Sequence, residues 1–463
     1  MLREAAGAVR SGQVSSRELL ERSLARIASD PLGVNAVGRL RADEALQEAA
    51  AIDAQIATGA DPGPLAGIPC LIKDIEDLSG MTTTHGSLLF EHDPSATEDG
   101  VISARLRAAG AIPIGKANTS EFATEGFTGN EVFGITLNPW APSWSPSGSS
   151  GGSGAAIAAG FVPIATATDT GGSVRAPAAF CGLVGLKPTN GVIGRDLRLP
   201  WPTLTTSGPL GVSVDDVRLL LDVTAGPVAG DPSALPSGRP GIRGMPQLVL
   251  AAPRFTPGEP LPAPVSRALD EALARVSDAL SVSVQSIEPE AIFRSGNPDR
   301  DWFVIAGPEL VEWLGRETVE KRRREFCPTT WTFLEEGLST SFGDYLAANS
   351  RRFSYVRELD ELLKEDVVIA TPTIAAEGWL PEGPRPGFDE ASPSSEVYNC
   401  IVQNMTGHPA ISVPAGILPN GVPFGLQFTG PRFRDDLLLN LASRWEQAHS
   451  WPLSAPGFEP FWN

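Results

Sequence analysis

Residues 162–168, VPIATAT, read as a strand that runs straight into Asp169-Thr170-Gly171-Gly172-Ser173-Val174-Arg175. Two glycines ahead of a serine let consecutive backbone N–H groups converge on one point, which is how an oxyanion is stabilised. A serine ending such a turn faces a substrate carbonyl and needs a base. Upstream, residues 154–159 form an Ala-rich helix with almost no polar face, so burial on all sides is expected. Strand readings at 67–72, 111–115, 247–252 and 366–370 alternate with helix readings at 42–56, 101–109 and 265–280. A helix from Ser15 opens with a Ser15/Glu18 capping box. Strand alternating with helix favours an α/β sheet protein.

No charged residue occurs between Val132 and Thr168. That stretch is interrupted by Pro139, Pro142, Pro146 and Pro163, so it is not a membrane span. An uncharged Ser/Gly-rich run in an acidic chain is expected to be buried, and its hydroxyls then need partners. It contains Gly148-Ser149-Ser150-Gly151-Gly152, which matches a nucleophile-elbow pattern around Ser150. The elbow needs a strand directly before it, and residues 140–146, WAPSWSP, cannot be a central strand. A phosphate loop is excluded because no Gly-Lys-Ser/Thr ending follows.

Only four histidines are present, at 85, 92, 408 and 449. His85 and His408 read as core or pocket-edge residues. If no histidine serves Ser173, a desolvated lysine can, because burial lowers its pKa. Lys73 ends the apolar run 68–72 and would be carried inward by it.

Basic residues number 36 and acidic residues 55, a net charge of −19, which excludes binding nucleic acid by phosphate neutralisation. Lys321-Arg322-Arg323-Arg324, flanked by Glu320 and Glu325, reads as a solvated helix face. Cys70, Cys181, Cys327 and Cys400 lie apart among apolar residues, as buried free thiols of a reducing compartment would. No apolar leader follows Arg3 and Glu4, so a cytoplasmic location is expected. The length admits about three domains. A Pro/Gly-rich stretch at 225–264 looks like a connection between halves. Trp302, Trp313, Phe326, Trp331 and Phe333 suit core packing for the most part, or the wall of an apolar pocket.

These residues resemble the amidase signature hydrolases. Residues 147–153 look like the family's first serine motif, 169–175 like its second and 67–74 like its lysine motif, with Ser149 and Ser173 in the family's spacing. Blocks at 115–118, 138–140, 180–182, 185–189, 404–416 and 425–427 also match. The resemblance implies an α/β fold with a central mixed β-sheet of many strands, covered by helices on both sides. It implies one amidase domain over 1–463, with a variable insert at 225–365. Carried over, Ser173 is the nucleophile, Ser149 the bridging serine after a cis bond from Gly148, and Lys73 the base. The amides of Thr170, Gly171, Gly172 and Ser173 form the oxyanion hole, and Asp169 and Arg175 hold the turn. The implied reaction is hydrolysis of a linear carboxylic amide through an acyl-enzyme. It uses no metal or cofactor, no nucleic acid and no membrane, in a family that often forms homodimers. Two rival readings are a glutamine-hydrolysing A-type subunit of a tRNA amidotransferase and a non-catalytic binding protein on this fold. Two departures stand out. Ser147 occupies a position where the family usually has glycine, and 207–213 lacks the usual arginine after Gly-Pro.

Overall fold

The computed structural model describes residues 1–196, 198–236, 244–383 and 399–462. Part of the Pro/Gly-rich connection, 237–243, lies outside the described residues.

The largest sheet has seven strands. From one edge they are Leu210–Gly211, Val184–Lys187, Ala410–Ile417, Pro423–Thr429, Val367–Pro372, Leu248–Ala251 and Ser283–Ser286. Neighbours are antiparallel until Val367–Pro372, and the last two junctions are parallel, so the sheet is mixed. Successive side chains of a strand point to opposite faces. Val368 and Ala370 accordingly join one hydrophobic core, with the helices Ala263–Leu280 and Asp435–Ala448, while Ile369 joins a second, with Pro298–Leu314 and Phe342–Leu363. Both faces are covered, as an α/β sheet requires. The 225–365 region supplies the last two strands at the parallel side of the sheet, Leu248–Ala251 and the edge strand Ser283–Ser286.

A second sheet of four strands carries the lysine motif. Its order is Val37–Leu40, Ile112–Ala117, Pro69–Lys73 and Ile164–Ala165. The expected strand at 162–168 is in fact two. Ile164–Ala165 pairs with Cys70 and Leu71, and Thr168–Asp169 pairs with Thr206 and Ser207. The chain changes partners between them, and there the Thr166 hydroxyl accepts the Lys73 backbone N–H at 2.8 Å.

The uncharged stretch is buried continuously from Ser145 onward, whereas Gly134, Pro142 and Ser143 are exposed. The Ala-rich helix starts three residues early, as Gly151–Ala158, and every residue in it is buried. The Ser15/Glu18 capping box forms as read. Among the described residues no helix is long and apolar enough to cross a membrane.

Candidate active site

Pro69–Lys73 is buried at every position, so this strand takes Lys73 into the interior. Its ammonium nitrogen donates to Ser149 Oγ at 2.7 Å and to Thr168 Oγ1 at 3.1 Å. Burial brings the Lys73 pKa down to about 7, against the opposing charges of Glu76 and Asp169. A neutral amine is therefore accessible at physiological pH.

Ser149 follows a cis peptide bond from Gly148. A Cβ on Gly148 would collide with the carbonyl oxygens of Phe127 and Glu125, so only glycine fits there. The residue before it, Ser147, has φ +69°, a left-handed conformation that favours glycine. This explains why Ser147 is a departure, and its hydroxyl compensates by donating to Gly126 O at 3.1 Å. Ser149 is wholly buried, and its carbonyl accepts from Thr119 Oγ1 at 3.0 Å. The Ser150 hydroxyl turns toward Thr168 O, 3.5 Å away.

The second serine turn is built differently. Ser173 is half-buried, and among the described residues its hydroxyl makes no hydrogen bond. Asp169 folds the turn back on itself, accepting from Gly172 N–H at 2.9 Å and Val174 N–H at 3.2 Å. The Gly172 amide is thus committed to a carboxylate. Those of Thr170, Gly171 and Ser173 stay uncommitted among the described residues. Arg175 forks onto Asp169 at 2.7 and 3.0 Å and also donates to Gln403, Gln427, Asn404 and Cys400 O. Burial pushes the Asp169 carboxyl up, but Arg175 outweighs it and holds the pKa below its ordinary value.

Lys73 and Ser149 are therefore joined directly, whereas Ser149 and Ser173 are not hydrogen-bonded to each other. One neighbour was not read from the sequence, and another was read only as core or pocket wall. Thr168 is the second acceptor for Lys73, and the alternation Thr166-Ala167-Thr168 was its only signal. Trp302 lies over the 169–175 turn, its indole N–H donating to Thr170 O at 2.8 Å. Trp302, Phe326 and Phe333 are core residues, as expected for most of that aromatic set, while Trp313 and Trp331 are half-buried.

His85 sits half-buried against Phe90 and Trp313, and burial brings its pKa to about 4. His408 is buried, with Nε2 3.1 Å from Asp360 Oδ1. Neither histidine bonds to Lys73, Ser149 or Ser173. Cys70, Cys181 and Cys400 are buried free thiols, but Cys327 is only half-buried, because it lies at the mouth of the helix Pro328–Ser339. The basic run 321–324 is exposed, with Lys321 and Arg322 paired to Glu317 and Glu325. Among the described residues no group of His, Cys, Asp or Glu side chains is arranged to hold a metal ion.

A mixed sheet covered on both faces and a buried lysine bonded to a serine after a cis peptide define a class, and the chain belongs to it. The Amidase family model matches residues 18–439. More particularly, the chain is 32% identical to the A-type subunit of the glutamyl-tRNA(Gln) amidotransferase from a Nostoc species, across 96% of each. Among solved structures it resembles 6-aminohexanoate cyclic dimer hydrolase, at 29% identity, 98% coverage of both chains and TM-score 0.84. A bacterial aryl acylamidase of the amidase signature family shares the fold, at TM-score 0.86 and 24% identity over 96% of this chain and 95% of that one.

Proposed function

We propose that this chain hydrolyses a linear carboxylic amide, with Ser173 as nucleophile, Ser149 as proton bridge and Lys73 as base. The observation that carries this reading is Lys73 itself: fully buried, 2.7 Å from Ser149 Oγ, with a pKa of about 7. Ser173 Oγ attacks the carbonyl carbon while its proton passes to Ser149 Oγ and the Ser149 proton passes to Lys73. The amides of Thr170, Gly171 and Ser173 receive the oxyanion. As the C–N bond breaks, Lys73 returns its proton to Ser149, which protonates the leaving nitrogen. Water then attacks the acyl-Ser173 ester by the same relay, releasing the acid. The Ser149–Ser173 contact forms with substrate in place, since catalytic hydrogen bonds often tighten only on binding. We also propose that the chain acts in the cytoplasm as a single amidase domain.

Ser173→Ala should abolish turnover and labelling by a serine-directed probe, read by intact mass. Full activity in that variant would overturn the mechanism. A panel of linear and cyclic amides tests whether the substrate must be linear. The full-length likeness to A-type amidotransferase subunits favours a second reading, glutamine hydrolysis within a complex. Turnover of simple amides by the isolated chain decides against it, and glutaminase activity that appears only with a partner decides for it.

A further inference from the structure

Each of the three uncommitted amides in the 169–175 turn follows a carbonyl that is held from outside. A peptide unit is planar, and in its trans form the C=O and the N–H point in opposite directions, so fixing one aims the other. Among the described residues the cis bond is Gly148–Ser149 alone, and the peptides of this turn are trans. Asn404 Nδ2 donates to Asp169 O at 2.7 Å, which sets the direction of Thr170 N–H. Ala176 N–H donates to Gly172 O at 2.7 Å, which sets that of Ser173 N–H. The unit between them is held by Trp302, whose indole N–H donates to Thr170 O at 2.8 Å and so sets Gly171 N–H. The remaining amide, Gly172 N–H, is taken by the Asp169 carboxylate.

Trp302 differs from the other two anchors. Ala176 follows Arg175 in the chain, and Asn404 Oδ1 accepts from Arg175 at 2.9 Å, so both belong to the network that folds the turn. Trp302 comes from the helix Pro298–Leu314, in the 225–365 region, and reaches Thr170 from 132 residues away. It is buried, with Phe303 and Phe333 packed against its ring. The ring edge also closes one side of Gly171, where a Cβ would lie 3.2 Å from Trp302 Cζ2. The indole thus acts twice on one peptide: its N–H holds the carbonyl and its ring limits the swing of Gly171. A donor on that carbonyl also polarises the peptide and strengthens its N–H.

We propose that Trp302 is a positioning residue for the oxyanion, holding Thr170 O so that Gly171 N–H is aimed, before substrate arrives, at the place where the amide oxygen gathers charge. The proposal rests on the amide-hydrolase reading above, in which Gly171 N–H is one of three oxyanion donors. A preorganised donor counts more in the transition state than in the bound substrate, because the charge it meets is made there. Removing such a donor outright costs about 10²- to 10³-fold in kcat. An amide left in place but loosely aimed should cost about tenfold, almost all of it in kcat.

The test uses the purified full chain and the panel of linear and cyclic amides. Trp302→Phe keeps a ring and removes the N–H. Trp302→3-benzothienylalanine keeps both rings, with sulfur in place of the N–H, and so leaves no void. Both should lower kcat about tenfold with KM changed less than about twofold, and the acid limb of kcat/KM should stay in place because Lys73 is untouched. A binding measurement separates positioning from packing. A trifluoromethyl ketone accepts Ser173 Oγ on its carbonyl carbon, the serine proton passing to the relay, and its carbonyl oxygen becomes an oxyanion. The matching secondary alcohol fills the same space and cannot add. Ketone affinity should fall by the same factor as kcat, while alcohol affinity holds. Unchanged kcat in the benzothienylalanine variant, a loss carried by KM, or a ketone affinity that moves no more than the alcohol's overturns the inference and leaves amide hydrolysis standing. No turnover of any amide, with no adduct at Ser173, overturns both.

Discussion

Lys73 and Lys116 stand on adjacent parallel strands, one residue out of register, and both are completely buried. They differ in what they touch. Lys116 has the Asp74 carboxylate 3.5 Å away and donates to Glu76 O and to Thr83 Oγ1. Lys73 donates only to two hydroxyls. Burial lowers both, opposed at Lys116 by the adjoining Asp74 and at Lys73 by Glu76 and Asp169, and brings Lys73 to about 7. Burial is therefore common to both, and the bonded partners are what differ. What sets Lys73 apart is that its hydrogen bonds go to neutral hydroxyls, with the Glu76 and Asp169 charges further off only partly repaying the cost of its own charge.

The comparison is broken most directly by exchanging roles. Lys73→Met should lower kcat/KM about 10³-fold or more, within reach of the loss seen when a general base is removed, while the protein stays folded. Lys116→Met should instead destabilise by about 3–5 kcal/mol, because Asp74 is left buried and unpaired. Urea midpoints check this. The double variant Asp74→Asn/Lys116→Met should recover much of the loss, as removing both charges of a buried pair does. If Lys116→Met were stable but dead, or Lys73→Met unfolded, the contrast would be wrong.

The pH dependence sharpens it further. The proposed relay needs neutral Lys73, so kcat/KM should level off above pH about 7 and fall about tenfold per pH unit below it. Stability carries the opposite face of the same shift. Between the depressed folded pKa of about 7 and the ordinary 10.5, the unfolded chain binds more protons, so stability rises with pH across that window. Lys73→Met should flatten this slope and be the more stable protein at pH 7. A wild-type slope that survives the substitution assigns it elsewhere; Lys187, also brought to about 7 by burial, is the next group to test.

Sequence reading reached the parts of this site that are local. Lys73 was legible because a polar residue ends an apolar run. Asp169 and Arg175 were read as holding the turn, which is what their mutual fork does. What was hidden depends on distant chain segments. Arg175 is completed by Gln403 and Gln427, 228 and 252 residues away. The division of 162–168 into two strands was also hidden, because its apolar alternation is that of one strand. Which sheet each half joins is set by Cys70 and Thr206, outside the local pattern.

The smallest expected effect tests the hydroxyl shell itself. Thr168→Val removes one of the two acceptors of Lys73 and leaves Ser149 Oγ as the other. An acceptor hydrogen bond favours the charged amine, so its loss lowers the Lys73 pKa further. One such bond is worth about 1–1.5 kcal/mol, so the acid limb of kcat/KM should move down by about one pH unit. At pH 6 this raises the neutral fraction, while less firm positioning of Nζ lowers the plateau a few-fold. The two effects separate in a full profile: the limb reports charge and the plateau reports geometry. A limb that moved upward would mean that the Thr168 hydroxyl had been donating to a neutral amine, adding to burial in holding the Lys73 pKa down.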